Sequence, residues 1–439
     1  MQPHGFSQKL DVMISTTMGR ITRAPISYLH AIVFLLGFLI VFSRRPDAIL
    51  NAQFWAEDGK YWYADAYSFG WHSLVMPEAG YLHLLPRLAA LLSLLFPLAI
   101  APLVMNLCAI VFQIFPVNLF LSSRFGSIAL ETRLFSCLLY LAVPNSFEIH
   151  ANATNIQWHF ALIGCMVLLS QPQINLTVGR QIFDLAALAL VSLDSPVGML
   201  LIPIAGIVWW QRKDNPSKWS ILALIPGSLL QIMVILFSTS RRPASNGASL
   251  ARLTSILGGQ VFLSSILGKN TFVRFYFVQH LSYLFVIEAI SAAIGLAVII
   301  YALCYAPKEL KLFILFAALV LSMALRRPLA SLGGEYQQWE LMQVPGMSNR
   351  YYFLPMLAFL ASLIWMLYHN SAASKLPRFA AIGLLVLLPI GIYRDYRYKP
   401  YVDMGYQEFA AAFQKVPRGT QAIVDLNPGY GWKMEITKR

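Results

Sequence analysis

The densest set of residues able to do chemistry is Asn51-Ala-Gln-Phe-Trp-Ala-Glu-Asp-Gly-Lys-Tyr-Trp-Tyr-Ala-Asp65. Glu57 and Asp58 are adjacent carboxylates among aromatic rings. A carboxylate beside a membrane-embedded cavity can serve as a general base, taking a proton from an acceptor hydroxyl as that hydroxyl attacks. The pair can instead hold a divalent cation such as Mg or Mn. It can also simply mark a helix start inside an interfacial belt of aromatics.

A second set is Pro77-Glu-Ala-Gly-Tyr-Leu-His-Leu-Leu-Pro-Arg87. His83 and Arg87 are four apart and so share a helix face. A cationic pair there suits a phosphate or ordinary snorkelling to lipid headgroups. The third set, in residues 144–160, holds Glu148, His150, Asn152, Asn155, Gln157 and His159. So many polar groups beside a bilayer are costly unless they line a cavity or bond one another. The spacing predicts a cavity wall with Asn155 and His159 on one face, and Glu148 and His150 as further acid/base candidates. The competing reading is a helix cap with an internally satisfied network. Asn152-Ala-Thr and Asn175-Leu-Thr match glycosylation acceptors, a signal too weak to use.

The cations form two groups. Residues 238–281 carry Arg241, Arg242, Arg252, Lys269 and Arg274 and no acid, which points to an anionic ligand. Arg326 and Arg327 precede Ser348-Asn-Arg-Tyr-Tyr352, where Arg350 supplies planar recognition of phosphate oxygens and Tyr351 an amphipathic ring. Anchoring to anionic headgroups explains the same residues. Glu288, Asp184 and Asp194 are the acids within apolar runs. An intramembrane carboxylate is a functional candidate, although the two aspartates lie near span ends and suit capping.

The elements that must position these residues follow from composition. The chain has 439 residues, 58% hydrophobic and 12% charged, with mean hydropathy +0.61. An ordinary soluble domain is about 25% charged. A soluble globule, a disordered chain and a disulfide scaffold are all excluded. The apolar stretches are continuous rather than alternating, which excludes an outer-membrane barrel. Cys108, Cys137, Cys165 and Cys304 are widely spaced in or beside apolar runs and read as small core hydrophobes.

The expected fold is an all-α polytopic membrane protein. Apolar runs fall near residues 26–42, 98–121, 132–144, 156–170, 182–194, 196–211, 219–237, 282–305, 309–325, 351–368 and 377–393. That gives about eleven transmembrane helices, several shorter than a straight span needs, as expected of helices lining an interior. Residues 81–96 carry His83, Pro86 and Arg87 and are expected to form an interfacial or re-entrant helix. With that parity the short loops 122–133, 171–181, 212–218, 306–311 and 369–378 and the N-terminus are cytoplasmic, and they hold 13 Lys/Arg against four acids. The outer pieces are then 43–97, 144–155, 238–281, 326–350 and a tail at 394–439, expected to pack on the outer mouth of the transmembrane domain 1–393.

The acidic pair in a first outer loop (Phe54-Trp55-Ala56-Glu57-Asp58-Gly59), the Asn-rich 145–159 wall and the Arg350-Tyr351 pair at a late span start resemble the GT-C superfamily of integral-membrane glycosyltransferases. Within it they are most similar to bacterial members that decorate O-antigen or related surface glycans. The resemblance implies a sugar donor on a polyprenyl phosphate, a glycan or lipid-linked acceptor, and an active site on the outer face of a bacterial inner membrane. Membrane lipids, and no nucleic acid, are the other expected partners. Asp58 or Glu57 would be the base of an inverting displacement. Arg350, Tyr351, Arg87, His83, Arg241 and Arg242 would meet the departing lipid phosphate. Glu148, His150, Asn155 and His159 would line the acceptor cavity. The order Glu-Asp leaves open which carboxylate is catalytic. The large soluble C-terminal domain of some branches is missing. Two other readings stay open: an O-antigen polymerase or ligase using lipid-diphosphate donors, and a non-enzymatic flippase or transporter, against which the lack of an inverted repeat counts.

Overall fold

The computed structural model describes residues 26–171, 177–238, 244–278, 281–330, 335–369, 375–429 and 431–439. Helices dominate it. The first half holds α1 (Ile26–Arg44), α2 (Leu84–Ser93), α3 (Ala101–Leu121), α4 (Leu130–Ala142), α5 (Ile156–Leu169), α6 (Val178–Asp194), α7 (Leu201–Arg212) and α8 (Asn215–Phe237). The second holds α9 (Leu250–Leu267), α10 (Lys269–Val278), α11 (Leu281–Tyr305), α12 (Lys308–Arg326), α13 (Phe353–Tyr368), α14 (Leu376–Asp395) and α15 (Tyr406–Lys415).

Among the described residues, five helices are long and apolar enough to cross a membrane: Leu98–Leu121, Asn215–Phe237, Leu250–Leu267, Tyr283–Tyr305 and Leu376–Asp395. Three of these bury little of themselves. Only 22%, 28% and 17% of the apolar windows of α8, α11 and α14 lie inside the protein, and Leu236, Phe237, Ile300 and Val386 point outward. Water strongly disfavours such a surface and lipid does not, so these helices fit a membrane-embedded protein.

The short apolar helices are the enclosed ones. α5 is 14 residues long, about 21 Å, and all but Met166 are buried. α13 is buried along most of its 16 residues. A helix that is apolar all round must be surrounded. α5 packs on α3, α6 and α7, and α13 on α11, α12 and α14. The interfacial-helix candidate in 81–96 is α2, whose ten residues span about 15 Å, too short to cross as a straight helix. Its first turn is capped by Asp194, which accepts the Leu85 N–H at 2.7 Å. Asp184 pairs with Arg124 at 2.6 Å.

Two expectations need correction. Residues 238–281 are not simply a loop. α9 is continuously helical, with a π-helical stretch over Ile256–Leu263, and α10 follows. Gly258-Gly259-Gln260 interrupt the apolar pattern, which hides the helix in the sequence. Those glycines are required by packing: a Cβ on Gly258 would overlap the carbonyl of Glu288, and one on Gly259 the ring of Phe272. Arg252 meets Gln337 and Glu340, Gln260 bonds the carbonyls of Met342 and Val344, and Gly268 abuts Asp395. α9 packs against α11 and α14, with Glu288 accepting the Ser255 hydroxyl.

The fold is also not purely helical. β1 (Gln421–Asp425) and β2 (Lys433–Thr437) pair antiparallel in the tail, in the register Gln421↔Thr437 to Asp425↔Lys433. Alternate residues Val424, Met434 and Ile436 are buried, the period-2 pattern of a half-buried hairpin. The tail touches the first loop closely. Trp55 stacks on Tyr401 at 5.2 Å, Phe54 meets Tyr406 edge-on at 5.2 Å, and the Ala56 N–H donates to the Asn427 carbonyl.

Candidate functional site

Behind α1 the chain turns sharply at Ala56, whose φ is 31°, and enters a π-helix over Asp58–Tyr63. The turn sends the two adjacent carboxylates in different directions. Asp58 is fully buried. It accepts the Ala153 N–H at 3.0 Å, the Thr154 N–H at 2.7 Å and the Thr154 hydroxyl at 2.6 Å. The same hydroxyl accepts the Trp62 indole N–H at 2.8 Å. Asp58 thus caps the helical turn leading into α5 and pins the π-helix to it. Burial pushes its carboxyl up to about 7 against the pull of these donors, and the Glu57 charge adds to the rise.

Glu57 is only half-buried. Its carboxyl accepts its own backbone N–H and, among the described residues, no hydrogen bond from another residue. Its electrostatic neighbours are Arg350, Glu148 and Glu78. Burial raises its pKa, its own backbone N–H and then Arg350 lower it, and Glu148 and Glu78 raise it further.

Glu148 and Arg350 form the charged pair facing Glu57. The guanidinium meets one carboxyl oxygen of Glu148 and the Arg350 backbone N–H donates to the other at 3.1 Å. Arg350 also donates to the Leu329 carbonyl at 2.9 Å and lies 4.7 Å from the Tyr351 ring centroid. The Tyr351 hydroxyl accepts the Leu329 N–H at 3.1 Å. Asn152 and Asn155 hold the Glu148 carbonyl from the other side, at 2.6 and 2.9 Å.

Strained backbone gathers at these residues. Ala56 precedes Glu57, Ala79 (φ 62°) follows Glu78, Asn145 and Ala151 (φ 54° and 52°) flank Glu148, and Ser348 (φ 58°) lies two before Arg350. Each is a non-glycine residue in the left-handed region, a cost that persists only where the surroundings over-determine it. Asn145 shows how: it bonds Asn349 and the Gln260 carbonyl, and its N–H donates to Asp395 at 2.9 Å.

The other predicted residues are placed differently. Arg87 is buried, paired with Asp65 at 3.0 Å and lying 4.9 Å from the Trp62 ring centroid. His83 packs on the same ring at 4.6 Å and its Nε2 meets the Glu78 carbonyl at 3.2 Å. His83 precedes α2 and is not on its face; both side chains instead meet at Trp62, turned inward rather than outward to headgroups. His150 has both ring nitrogens engaged, by the Val41 carbonyl at 3.1 Å and Gln113 at 3.0 Å. Burial first, and Arg44 and Arg45 next, hold it well below the usual histidine range. His159 is likewise engaged on both nitrogens, by the Tyr140 hydroxyl and the Ile149 carbonyl. The expectations of an acid/base role for His150 and a cavity-lining role for His159 therefore give way to the internally satisfied network. Asn155 belongs to that network and acts on the site through Glu148. Arg241 and Arg242 lie outside the described residues.

One cation was passed over individually in the sequence. Lys269 opens α10, and its ammonium lies 4.1 Å from the ring centroid of Phe147, next to Glu148. Burial lowers its pKa, partly offset by Asp395, whose carboxylate already accepts the N–H groups of Asn145, Lys269 and Asn270. Among the described residues the Lys269 ammonium has no hydrogen-bond acceptor. The available signal was an acid-free basic stretch, which does not distinguish one lysine from its neighbours.

The donor set does not fit a divalent cation at the acidic pair. Asp58 is aimed at Ala153 and Thr154, and Glu148 is occupied by Arg350, so Glu57 and Asp58 do not converge on one point. Among the described residues no three His, Cys, Asp or Glu side chains cluster as ligands would. What remains is a carboxylate bonded by no other residue, beside the Glu148–Arg350 ion pair, with the Lys269 ammonium over Phe147. No family model matches the chain, and no curated protein is similar to it in sequence.

Proposed function

We propose that this protein is a membrane glycosyltransferase of the GT-C type, moving a sugar from a polyprenyl-phosphate donor to a glycan or lipid-linked acceptor. Glu57 is the base in this reading. The observation that carries it is the contrast within the acidic pair: Asp58 is saturated by three donors from other residues, while the partly buried Glu57 carboxyl is met only by its own backbone N–H and has its pKa raised by burial. The acceptor hydroxyl gives its proton to Glu57 as its oxygen bonds to the anomeric carbon. The bond from that carbon to the phosphate oxygen breaks, with inversion, and the lipid phosphate leaves as an anion. Lys269 supplies the positive charge that favours its departure. About eleven spans, an outer-facing site and a bacterial inner membrane belong to the same proposal.

The test is transfer from a polyprenyl-phosphate sugar by the purified protein in liposomes. Glu57→Gln should lower kcat on the order of 10²–10⁴-fold with an unchanged melting temperature. Asp58→Asn turns an amide N–H₂ toward bonded donors, so it should destabilise by about 1–3 kcal/mol and lower activity together with folded yield. Wild-type turnover by Glu57→Gln would remove the proposed base.

A further inference from the structure

Four helix ends meet at the far end of α5 from Asn155: the last turns of α5 and α7 and the first turns of α6 and α8. They enclose a cavity of about 240 Å³ whose polar lining includes Ser170, Arg180, Asp184, Arg212 and Ser217. α5 sets its distance from the Glu57 cluster at about 20 Å.

Three arginines meet here, Arg124, Arg180 and Arg212, with Asp184 and Asp214 in the cavity and Glu309 also acting on Arg212. Asp184 is held by Arg124 at 2.6 Å, with Arg180 at 3.9 Å. The second acid, Asp214, accepts the Ser217 N–H at 2.9 Å and caps α8. Arg212 donates to the Ser170 carbonyl at 2.9 Å and Arg180 to the Gln171 carbonyl at 3.2 Å, neutral partners that hold each guanidinium at the cavity wall. The Arg180 side chain is 11% exposed and its Nε is buried without a hydrogen-bond partner.

A separate observation sets the depth. Trp209, Trp210 and Trp219 are 38%, 68% and 50% exposed beside the cavity, and Lys213 lies over the first two rings at 5.3 and 6.0 Å. Exposed tryptophans interleaved with Lys and Arg are the anchors of a membrane–water interface. An arginine-lined recess between helix ends at that level offers guanidinium donors and room for a lipid phosphate headgroup.

We propose that the Arg180–Arg212 cavity binds a phosphate-bearing anion, the headgroup of an anionic phospholipid. The site is independent of the Glu57 reaction and does not rest on the glycosyltransferase reading. The test uses the purified full chain in detergent and reads lipid adducts by native mass spectrometry, with phosphatidylglycerol against phosphatidylcholine. Wild type should retain phosphatidylglycerol preferentially, and the Arg180→Gln/Arg212→Gln double variant should lose that preference on the order of tenfold. Arg180→Lys/Arg212→Lys should keep most of it. Ser220→Glu, which adds a carboxylate at the rim without disturbing either arginine, should weaken it and gives a readout if the double variant fails to fold. A thermal-shift arm with glycerol 3-phosphate separates the sources: protection equal to that by the lipid supports the anion site with a soluble ligand, and protection by the lipid alone supports the headgroup. Equal retention of both lipids by wild type, or undiminished phosphatidylglycerol binding by both the folded double variant and Ser220→Glu, overturns the proposal.

Discussion

Burial raises the carboxyl of Glu57 most, Glu148 and Glu78 raise it further, and its own backbone N–H and Arg350 oppose them. A base works deprotonated, so its raised pKa moves the acid-side loss of activity to higher pH than an ordinary glutamate gives. Arg350→Gln removes the lowering charge and frees the Glu148 carboxylate. The ascending limb of log kcat against pH should therefore move further upward, and the profile in liposomes measures the shift. At this scale the sequence was informative about residue type and poor about commitment. It singled out Glu57, Asp58, Glu148 and Arg350 because acids are scarce, only 20 in 439 residues. It could not show that three donors 95 or 96 positions away occupy Asp58, or that Asp65 neutralises Arg87. Hydrogen-bond saturation is a property of the partner, and the partner is remote in the chain.

Among the elements, α9 was the least legible. Its glycines and Gln260 read as a break in an apolar run, yet they allow close approach to α11 and α10. Gly258→Ala forces a methyl into the Glu288 carbonyl and should cost about 1–3 kcal/mol, read as a lower melting temperature of the solubilised protein. The same change leaves Glu57 untouched, so activity per folded molecule should change far less than folded yield. α8, α11 and α14 were legible because long apolar runs without charge have few alternatives to a membrane helix. α5 was legible as a short polar-ended segment, but its enclosure by α3, α6 and α7 came only from packing. The strain at Ala56, Asn145, Ala151 and Ser348 had no sequence signal, because none of them is a glycine.

Across the whole molecule, the tail and the first loop act on one another over a separation of hundreds of residues. The Asn427 side chain bonds both the N–H and the carbonyl of Val402, at 3.0 and 2.9 Å, while its own carbonyl holds the Ala56 N–H. Asn427→Ala should loosen that support and lower kcat through Glu57 with a stability loss of about 1–3 kcal/mol. A wild-type kcat in the folded variant would show that the tail does not set the Glu57 position. By itself the sequence determined that the chain is apolar, helical and acid-poor, and that five of its 20 carboxylates lie in the first loop. Those properties are sums over local composition and need no knowledge of neighbours. Tertiary structure alone decided which carboxylate is bonded by no other residue, which cations are already paired, and that an arginine-lined recess lies at the opposite end of α5. Each of those depends on groups brought together from distant positions, where burial and hydrogen bonding decide which charge remains available.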